Sequence, residues 1–182
     1  MDDNVQQALQ GFTQRYMAAW RQAYDHLPAS EALFGVASPC AVENDGERVF
    51  WTPQPVAEGA ALDGVSRALN IALHPDAEAF FTTQYAGDME AHFADIDCLL
   101  LQSWSEDDFV RMQENLIGHL LTQKRLKLPP TLFLATTESE MALISLSNVS
   151  GEVWLETFGT REHRVLAPSL FVFLQQLQPR VR

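Results

Sequence analysis

The stretch "SEDDFVRMQENLIGHLLTQKRLKLPPTLFLATT", residues 105–137, carries the clearest structural signal in the chain. Ser105, three carboxylates and then apolar residues at steps of three and four predict a helix from 106 to about 125. The prolines of "LPP" disfavour helix in the residues before them, so the helix ends there. Residues 131–137 are rich in β-branched and aromatic side chains, which predicts a strand directly after it.

The rest of the chain predicts further helices and strands that are separate in sequence. Apolar residues at helical steps indicate an amino-terminal helix, and Asp-Gly and Gly-Asp pairs indicate hairpin turns. Consecutive strands joined by short turns pair antiparallel. We therefore predict a single α+β domain over residues 1–182, with a mainly antiparallel central sheet of about six or more strands and helices packed on it. Helices are predicted at about 4–25, around 62–69, at 106–125 and from Pro168, which is usable in the first turn. Strands are predicted on both sides of Asp45-Gly46, at 77–87 and 90–104 with a hairpin signal at Gly87-Asp88, and at 131–137, 142–148 and 152–158, while Pro53 and Pro55 end the second strand.

The net charge is −12 and is unevenly distributed. Residues 1–108 hold 18 acids and four bases, whereas residues 109–182 hold six acids and eight bases. This balance disfavours nucleic acid, which needs clustered Lys and Arg, and it disfavours direct docking on anionic lipid. A basic partner is the natural complement, although excess acid can also serve only to keep a protein dispersed.

The sequence predicts a protein of the cytoplasm. Its first residues, "MDDNVQQALQ", are acidic and polar where an export signal begins basic and becomes apolar. The longest apolar clusters are much shorter than the roughly 20 residues of a membrane-spanning helix. Cys40 and Cys98 lack metal-ligand spacing, so we expect two small buried thiols in a reducing compartment.

We find no sequence pattern for catalysis or for a cofactor. The glycines are scattered without a phosphate-binding spacing, and no serine lies in a nucleophile motif. His119, between apolar neighbours in the predicted helix, is expected to be partly buried and hydrogen-bonded. Asp88, Glu90 and His92 alternate and could hold a metal for a hydrolase, but alternation is also what a half-solvated strand shows.

The acids of residues 88–108 need a second explanation besides helix capping. Ser105 with Asp108 has the form of a capping box, and the helix dipole favours the acids of the first turn by about 0.3 to 1 kcal/mol each. The bases Lys124, Arg125 and Lys127 suit the other helix end by the same argument. Capping leaves the preceding acids unexplained, and no Lys or Arg lies between Arg67 and Arg111. We therefore predict a partner-binding acidic surface formed by Asp88, Glu90, Asp95, Asp97, Trp104, Glu106, Asp107 and Asp108.

Several stretches are similar to one known family: "FFTTQYAGDM" (80–89), residues 100–136 from "LLQSW" to "FLAT", "GVASPCAV" (35–42), and "NVSGEV" with "ETFGTR" (148–161). They resemble the Syd family of bacterial SecY-interacting proteins, and the likeness runs essentially end to end, weakest at about 43–79. The resemblance implies an α+β fold of the SUKH superfamily, which includes toxin-immunity proteins. It also implies binding to SecY, the channel subunit of the translocon, through an acidic concave surface, without enzymatic activity or cofactor.

The charge pattern and the resemblance lead to the same expectation. Cytoplasmic loops of membrane proteins are enriched in Lys and Arg, so an acidic surface complements them. The protein would then lie loosely at the cytoplasmic side of the inner membrane, held there indirectly through SecY, and regulate or quality-control the translocase. The alternative is an immunity-type protein that neutralises a basic toxin.

Overall fold

Seven strands form the central sheet of this protein, whose computed structural model describes residues 4–181. Met1–Asp3, part of the acidic amino-terminal stretch, and Arg182 lie outside the described residues. The helices are α1 (Val5–Tyr24), α2 (Asp63–Leu69), α3 (Pro75–Thr82), α4 (Glu106–Arg125) and α5 (Leu170–Gln176). The strands are β1 (Ala29–Ser30), β2 (Ala41–Asn44), β3 (Val49–Trp51), β4 (Gln54–Pro55), β5 (Gln84–Tyr85), β6 (Met89–Phe93), β7 (Ile96–Leu100), β8 (Thr131–Thr137), β9 (Ala142–Ser147), β10 (Val153–Thr157), β11 (His163–Ala167) and β12 (Gln178–Pro179).

The central sheet has the strand order β11-β10-β9-β8-β7-β6-β12, and each neighbouring pair is antiparallel. A smaller sheet, β1-β3-β2, and the pair β4-β5 accompany it. From β6 to β11, consecutive strands are neighbours; short turns join them, except that α4 lies between β7 and β8. β12 follows β11 through α5 and pairs with β6 at the opposite edge of the sheet. The predicted fold class, α+β with a mainly antiparallel sheet of six or more strands, is confirmed.

One face of the sheet packs on helices. Met89 and Ala91 of β6 are fully buried, as are Leu9 of α1 and Phe173 of α5. Phe173 stacks on Phe93 with ring centroids 5.0 Å apart, which joins α5 to this face of β6. Burial of a Leu, Met or Phe side chain stabilises the fold by about 1.5 to 3 kcal/mol. The opposite face of β6 and β7 is left to carry their polar side chains.

The two long helices have the bounds that the sequence predicts. In α1, the Asn4 side chain accepts a hydrogen bond from the Gln7 N–H at 3.0 Å, and Asp25 ends the helix in a left-handed conformation. In α4, the Ser105 hydroxyl accepts from the Asp108 N–H at 3.2 Å. The Asp108 carboxylate accepts from the Trp104 N–H at 2.8 Å, one residue before the position used in a standard capping box.

The strand predicted at 77–87 is wrong over most of its length, because residues up to Thr82 form α3. Local features start this helix: Pro75 is its first residue, and the His74 ring accepts a hydrogen bond from the Asp76 N–H at 3.1 Å. Phe80 and Phe81 favour strands by propensity, yet both are buried on α3. Burial decided between helix and strand here, since propensity is a weak preference.

The hairpin turn predicted at Gly87-Asp88 lies instead at Ala94, which has a φ of 53° between β6 and β7. Gly87 is required for a different reason: a Cβ at this position would come within 2.8 Å of the Trp51 ring. The hairpin predicted at Asp45-Gly46 is confirmed, with Gly46 at a φ of 90° between β2 and β3.

The carboxyl-terminal part of the chain holds two strands that the sequence analysis does not predict, β11 and β12. Both are edge strands of the central sheet. Pro168 also lies outside α5, because Ser169 is the capping residue: its hydroxyl accepts from the Val172 N–H at 3.2 Å.

Candidate functional site

The outward face of β6, β7 and β8 gathers carboxylates from three segments of the chain. Glu90 is the register partner of Leu99, which pairs with Thr136, and His92 pairs with Asp97. Because paired residues share a face and side chains alternate, these side chains lie on the side opposite the core. Asp88 directly precedes β6, two residues before Glu90.

One depression on this face, of about 230 Å³, is lined by Glu90, Asp97 and Glu138 together with Arg180. The Arg180 guanidinium lies 3.4 Å from the Asp97 carboxylate, and the Arg180 N–H donates to the Glu90 carbonyl at 3.0 Å. Cys98 also lines this depression, but burial raises the pKa of its thiol to about 12. The thiol therefore stays protonated and does not act as a nucleophile.

A second depression, of about 220 Å³, lies beside the first turn of α4. Asp88 and Asp108 are its acids. The Gln102 N–H donates to the Asp88 carboxylate at 2.8 Å, and Arg111 lies 3.4 Å from the Asp108 carboxylate. The remaining walls are largely apolar and come from Phe81, Leu101, Met112 and Phe133.

The environment of Asp88 disfavours its charged form. Asp88 is exposed at the mouth of the depression, yet the protein around its carboxyl group raises the pKa from 3.8 to about 6. The largest cause is that protein atoms packed around the carboxyl group displace part of its water; the hydrogen bond from Gln102 opposes this rise in pKa, and the charge of Asp108 adds to it. A cation placed in this depression would lower that pKa again.

The remaining predicted acids lie apart from the two depressions. Asp95 is exposed in the turn between β6 and β7. Glu106 and Asp107 are exposed in the first turn of α4. Burial raises the pKa of Tyr85, and the charge of Glu106 adds to that rise. Two helical steps separate Glu106 from Asp108 by about 200°, so the two carboxylates point to different sides of α4.

Trp104, predicted from the sequence to be part of the partner-binding acidic surface, is buried in the structure. Its side chain is only 2% exposed, and its indole N–H donates to the Val36 carbonyl at 3.0 Å. The ring also meets Trp51 edge to face, with centroids 6.3 Å apart. Trp104 therefore anchors the chain just before α4 and so positions the acids of its first turn.

The metal site considered at Asp88, Glu90 and His92 is not formed. Within residues 4–181, no three His, Cys, Asp or Glu side chains are placed to hold a metal ion. Positions two apart on a strand are about 6.6 Å apart, so the three residues spread along the sheet instead of converging.

The buried titratable groups are as the sequence predicts. His119 is 9% exposed, its Nε2 lies 3.1 Å from the Thr131 hydroxyl, and burial lowers its pKa. The Thr131 hydroxyl accepts from Gln123, so its own hydrogen is left for Nε2 of a neutral His119. Cys40 and Cys98 are both buried and free.

Sequence reasoning missed Glu138 and Arg180 as members of this face. Arg180 follows β12, which pairs with β6, and no local pattern indicates that pairing. Glu138 follows β8, and the pairing of β8 with β7 brings it to Asp97. The sequence shows that Glu138 is an acid at the end of a predicted strand, but it does not show that Asp97 is its neighbour. We call the surface lined by Asp88, Glu90, Asp97, Asp108 and Glu138 the acidic face.

The fold and this site define an α+β protein that carries two acidic depressions on the outward face of an antiparallel sheet. The family model described as "Syd protein (SUKH-2)" matches residues 6–179. Proteins named Protein Syd from Pectobacterium carotovorum subsp. carotovorum and Pectobacterium atrosepticum are each 64% identical over 179 residues, covering 98% of both chains. Protein Syd of Yersinia enterocolitica is 59% identical with the same coverage. The chain belongs to the Syd family, which confirms the resemblance seen in the sequence.

None of the helices within residues 4–181 has the length and apolar character needed to cross a membrane.

Proposed function

We propose that this chain binds SecY from the cytoplasmic side and that the acidic face receives Lys and Arg side chains of the cytosolic loops of SecY. It acts without catalysis, as a regulator or quality control of the translocase, and it lies at the inner membrane only through that contact. Family membership supports the choice of partner. The observation that carries the proposal is the composition of the two depressions, which hold five carboxylates against two guanidinium groups, Arg111 and Arg180.

The second depression has the chemistry of a receptor for a long basic side chain. Lys and Arg bury their aliphatic stems against apolar surface while the charged head contacts an acid. Leu101, Met112 and Phe133 supply such walls beside Asp88 and Asp108. Arg111, 60% exposed on the rim, is placed so that an incoming cation can replace it at Asp108.

The first depression extends the same surface along the sheet. Glu90, Asp97 and Glu138 lie where an extended basic loop can continue from the second depression, because both are on the outward face of β6 to β8. Electrostatic steering by such a face raises association rates and weakens with salt, since the screening length is about 8 Å at 0.15 M.

The test compares two triple variants that change the net charge equally. Asp88→Asn, Glu90→Gln and Asp97→Asn neutralise the acidic face, whereas the control neutralises exposed acids elsewhere, Glu31→Gln, Glu43→Gln and Glu47→Gln. Binding to purified SecY in detergent is measured at low and at physiological salt. Each lost contact should weaken binding by about 0.5 to 1 kcal/mol. We therefore expect the face variant to lose at least about tenfold in affinity for SecY, and we expect the affinity of the control variant to change little. Equal losses in both variants would reduce the effect to net charge, and no loss in either would remove the acidic face from the interface.

A further inference from the structure

A cavity of about 340 Å³ lies between the carboxyl-terminal ends of α2 and α4, away from the acidic face. Its walls are mainly aliphatic, and Lys124 is the charged residue that lines it. Gln123 also contributes, but its amide group is committed to Thr131: it donates to the hydroxyl at 2.7 Å and accepts from the N–H at 2.9 Å. The aliphatic walls are Leu69, Ile71, Leu120, Leu128 and Pro130.

The surroundings of this cavity are basic in a chain that is strongly acidic. Residues 67–73 and 120–130, the two segments that form it, contain Arg67, Lys124, Arg125 and Lys127 and no Asp or Glu. All four bases are exposed. The nearby turn after β10 adds Arg161, whose guanidinium donates to the Lys127 carbonyl, and Glu162, whose charges offset each other.

The acidic face does not cancel this local charge. α4 has 20 residues, so its acidic first turn and its basic last turn are about 30 Å apart. That distance is several times the screening length of about 8 Å at physiological salt. The exposed charges of the two segments that form the cavity are therefore these four bases, whereas Glu156, which lines the adjoining depression with Gln123 and Leu128, is buried.

Helix-end electrostatics explains only part of this arrangement. Bases in the last turn stabilise a helix through its dipole, which accounts for Arg67, Lys124 and Arg125. The dipole does not account for an aliphatic cavity beside them. Nor does it account for Lys127, which stands beyond α4 at a φ of 58°, a conformation that usually favours glycine.

We propose that this cavity binds a small anionic amphiphile, a molecule with an aliphatic body and one carboxylate or phosphate group. The cavity volume falls in the range of small-molecule sites, and its walls match an alkyl chain. Lys124 on the rim pairs with the anionic head, while Arg125 and Lys127 add to the local positive potential. The site is independent of the partner that binds the acidic face.

The test uses the full chain with defined probes below their micelle concentrations. Isothermal titration with decanoate and with decyl phosphate should show one saturable site, and decyltrimethylammonium, with the same chain and the opposite charge, should bind at least about tenfold more weakly. Lys124→Gln should weaken decanoate binding about fivefold. Arg21→Gln is the matched control, because Arg21 is an exposed base in the last turn of α1 and should leave binding unchanged.

Further variants and a vesicle experiment complete the test. Lys124→Glu reverses the charge at an exposed position and should abolish decanoate binding. Ile71→Asp places a carboxylate in the cavity wall, and its decanoate binding is compared with that of the unchanged protein after circular dichroism shows that the variant is folded. Co-sedimentation with phosphatidylglycerol vesicles that depends on Lys124 would identify a bilayer lipid as the source of the amphiphile, and binding of the soluble probes alone would identify a free fatty acid or phosphate ester. No saturable binding of any anionic probe, equal binding of the cationic probe, or full binding by Lys124→Glu would overturn the proposal.

Discussion

Replacing Asp88 by Asn tests whether the charged Asp88 carboxylate in the second depression lowers the stability of the folded protein. The pKa of Asp88 is raised from 3.8 to about 6, so its charged form is disfavoured in the folded state. The unfolded chain releases this proton first, and stability therefore falls as the pH rises from about 4 through about 6. Above about pH 6 the folded protein bears the full free-energy cost of the charged Asp88 carboxylate, and below about pH 4 that cost is absent.

The magnitude follows from the size of the shift and the position of the side chain. A shift of two pKa units corresponds to about 3 kcal/mol, but Asp88 is exposed and solvent screens it, which reduces the expected cost to about 1 kcal/mol. Asn keeps an oxygen that can accept from the Gln102 N–H and carries no charge. We therefore expect Asp88→Asn to be about 1 kcal/mol more stable than the unchanged protein at pH 8 and equally stable at pH 4.

The assay is urea unfolding followed by circular dichroism at pH 4, 6 and 8. Asp95→Asn is the control, because Asp95 is an exposed acid in the turn that follows β6. Because its side chain is exposed, this substitution should change the stability at pH 8 by less than about 0.5 kcal/mol. A stability difference at Asp88 that is the same at all three pH values, or a loss of stability at pH 8, would refute the account of a carboxylate deprived of water.

Two other variants separate structural from surface roles at the start of α4. Trp104→Ala should destabilise the protein by about 3 to 5 kcal/mol in thermal or urea unfolding, because it empties a site that is only 2% exposed; a cost below about 1 kcal/mol would contradict the anchoring role. The double variant Glu106→Gln with Asp107→Asn should lower the free energy of unfolding by only about 0.3 to 1 kcal/mol per charge, through the helix dipole. It should reduce SecY binding less than the triple variant of the acidic face does, because these two side chains lie outside the two depressions. A larger loss of SecY binding from this pair would place the interface at the helix start instead.

Local patterns predicted the elements whose causes are local. The bounds of α4 follow from Ser105, the apolar period and the prolines after Leu128, and the turn at Gly46 follows from its conformational freedom. The prediction failed where tertiary burial overrides weak propensity. Phe80 and Phe81 were assigned to a strand, but they are buried on a helix that begins at Pro75.

The acid-rich segment was visible in the sequence, but the sequence did not show which of its acids lie in which depression. Alternation along β6 correctly indicated that Glu90 and His92 share a face. It gave no sign that Asp108 lies in one depression with Asp88, 20 positions earlier, or that Arg180 reaches Asp97. Trp104 was assigned to the surface by its neighbours in sequence, although its contacts with Val36 and Trp51 bury it.

The sequence by itself determined the fold class, the strong negative charge of the first 108 residues, the helix start at Ser105 and the membership that its motifs indicate. These depend on periodicity, capping and composition, which act over a few residues or over the whole chain. Only the tertiary structure decided which acids meet, which residue is buried beneath them and where bases surround a cavity. Such features depend on strand pairing and packing between distant segments, and the loss of water that shifts the pKa of Asp88 exists only once those segments have come together.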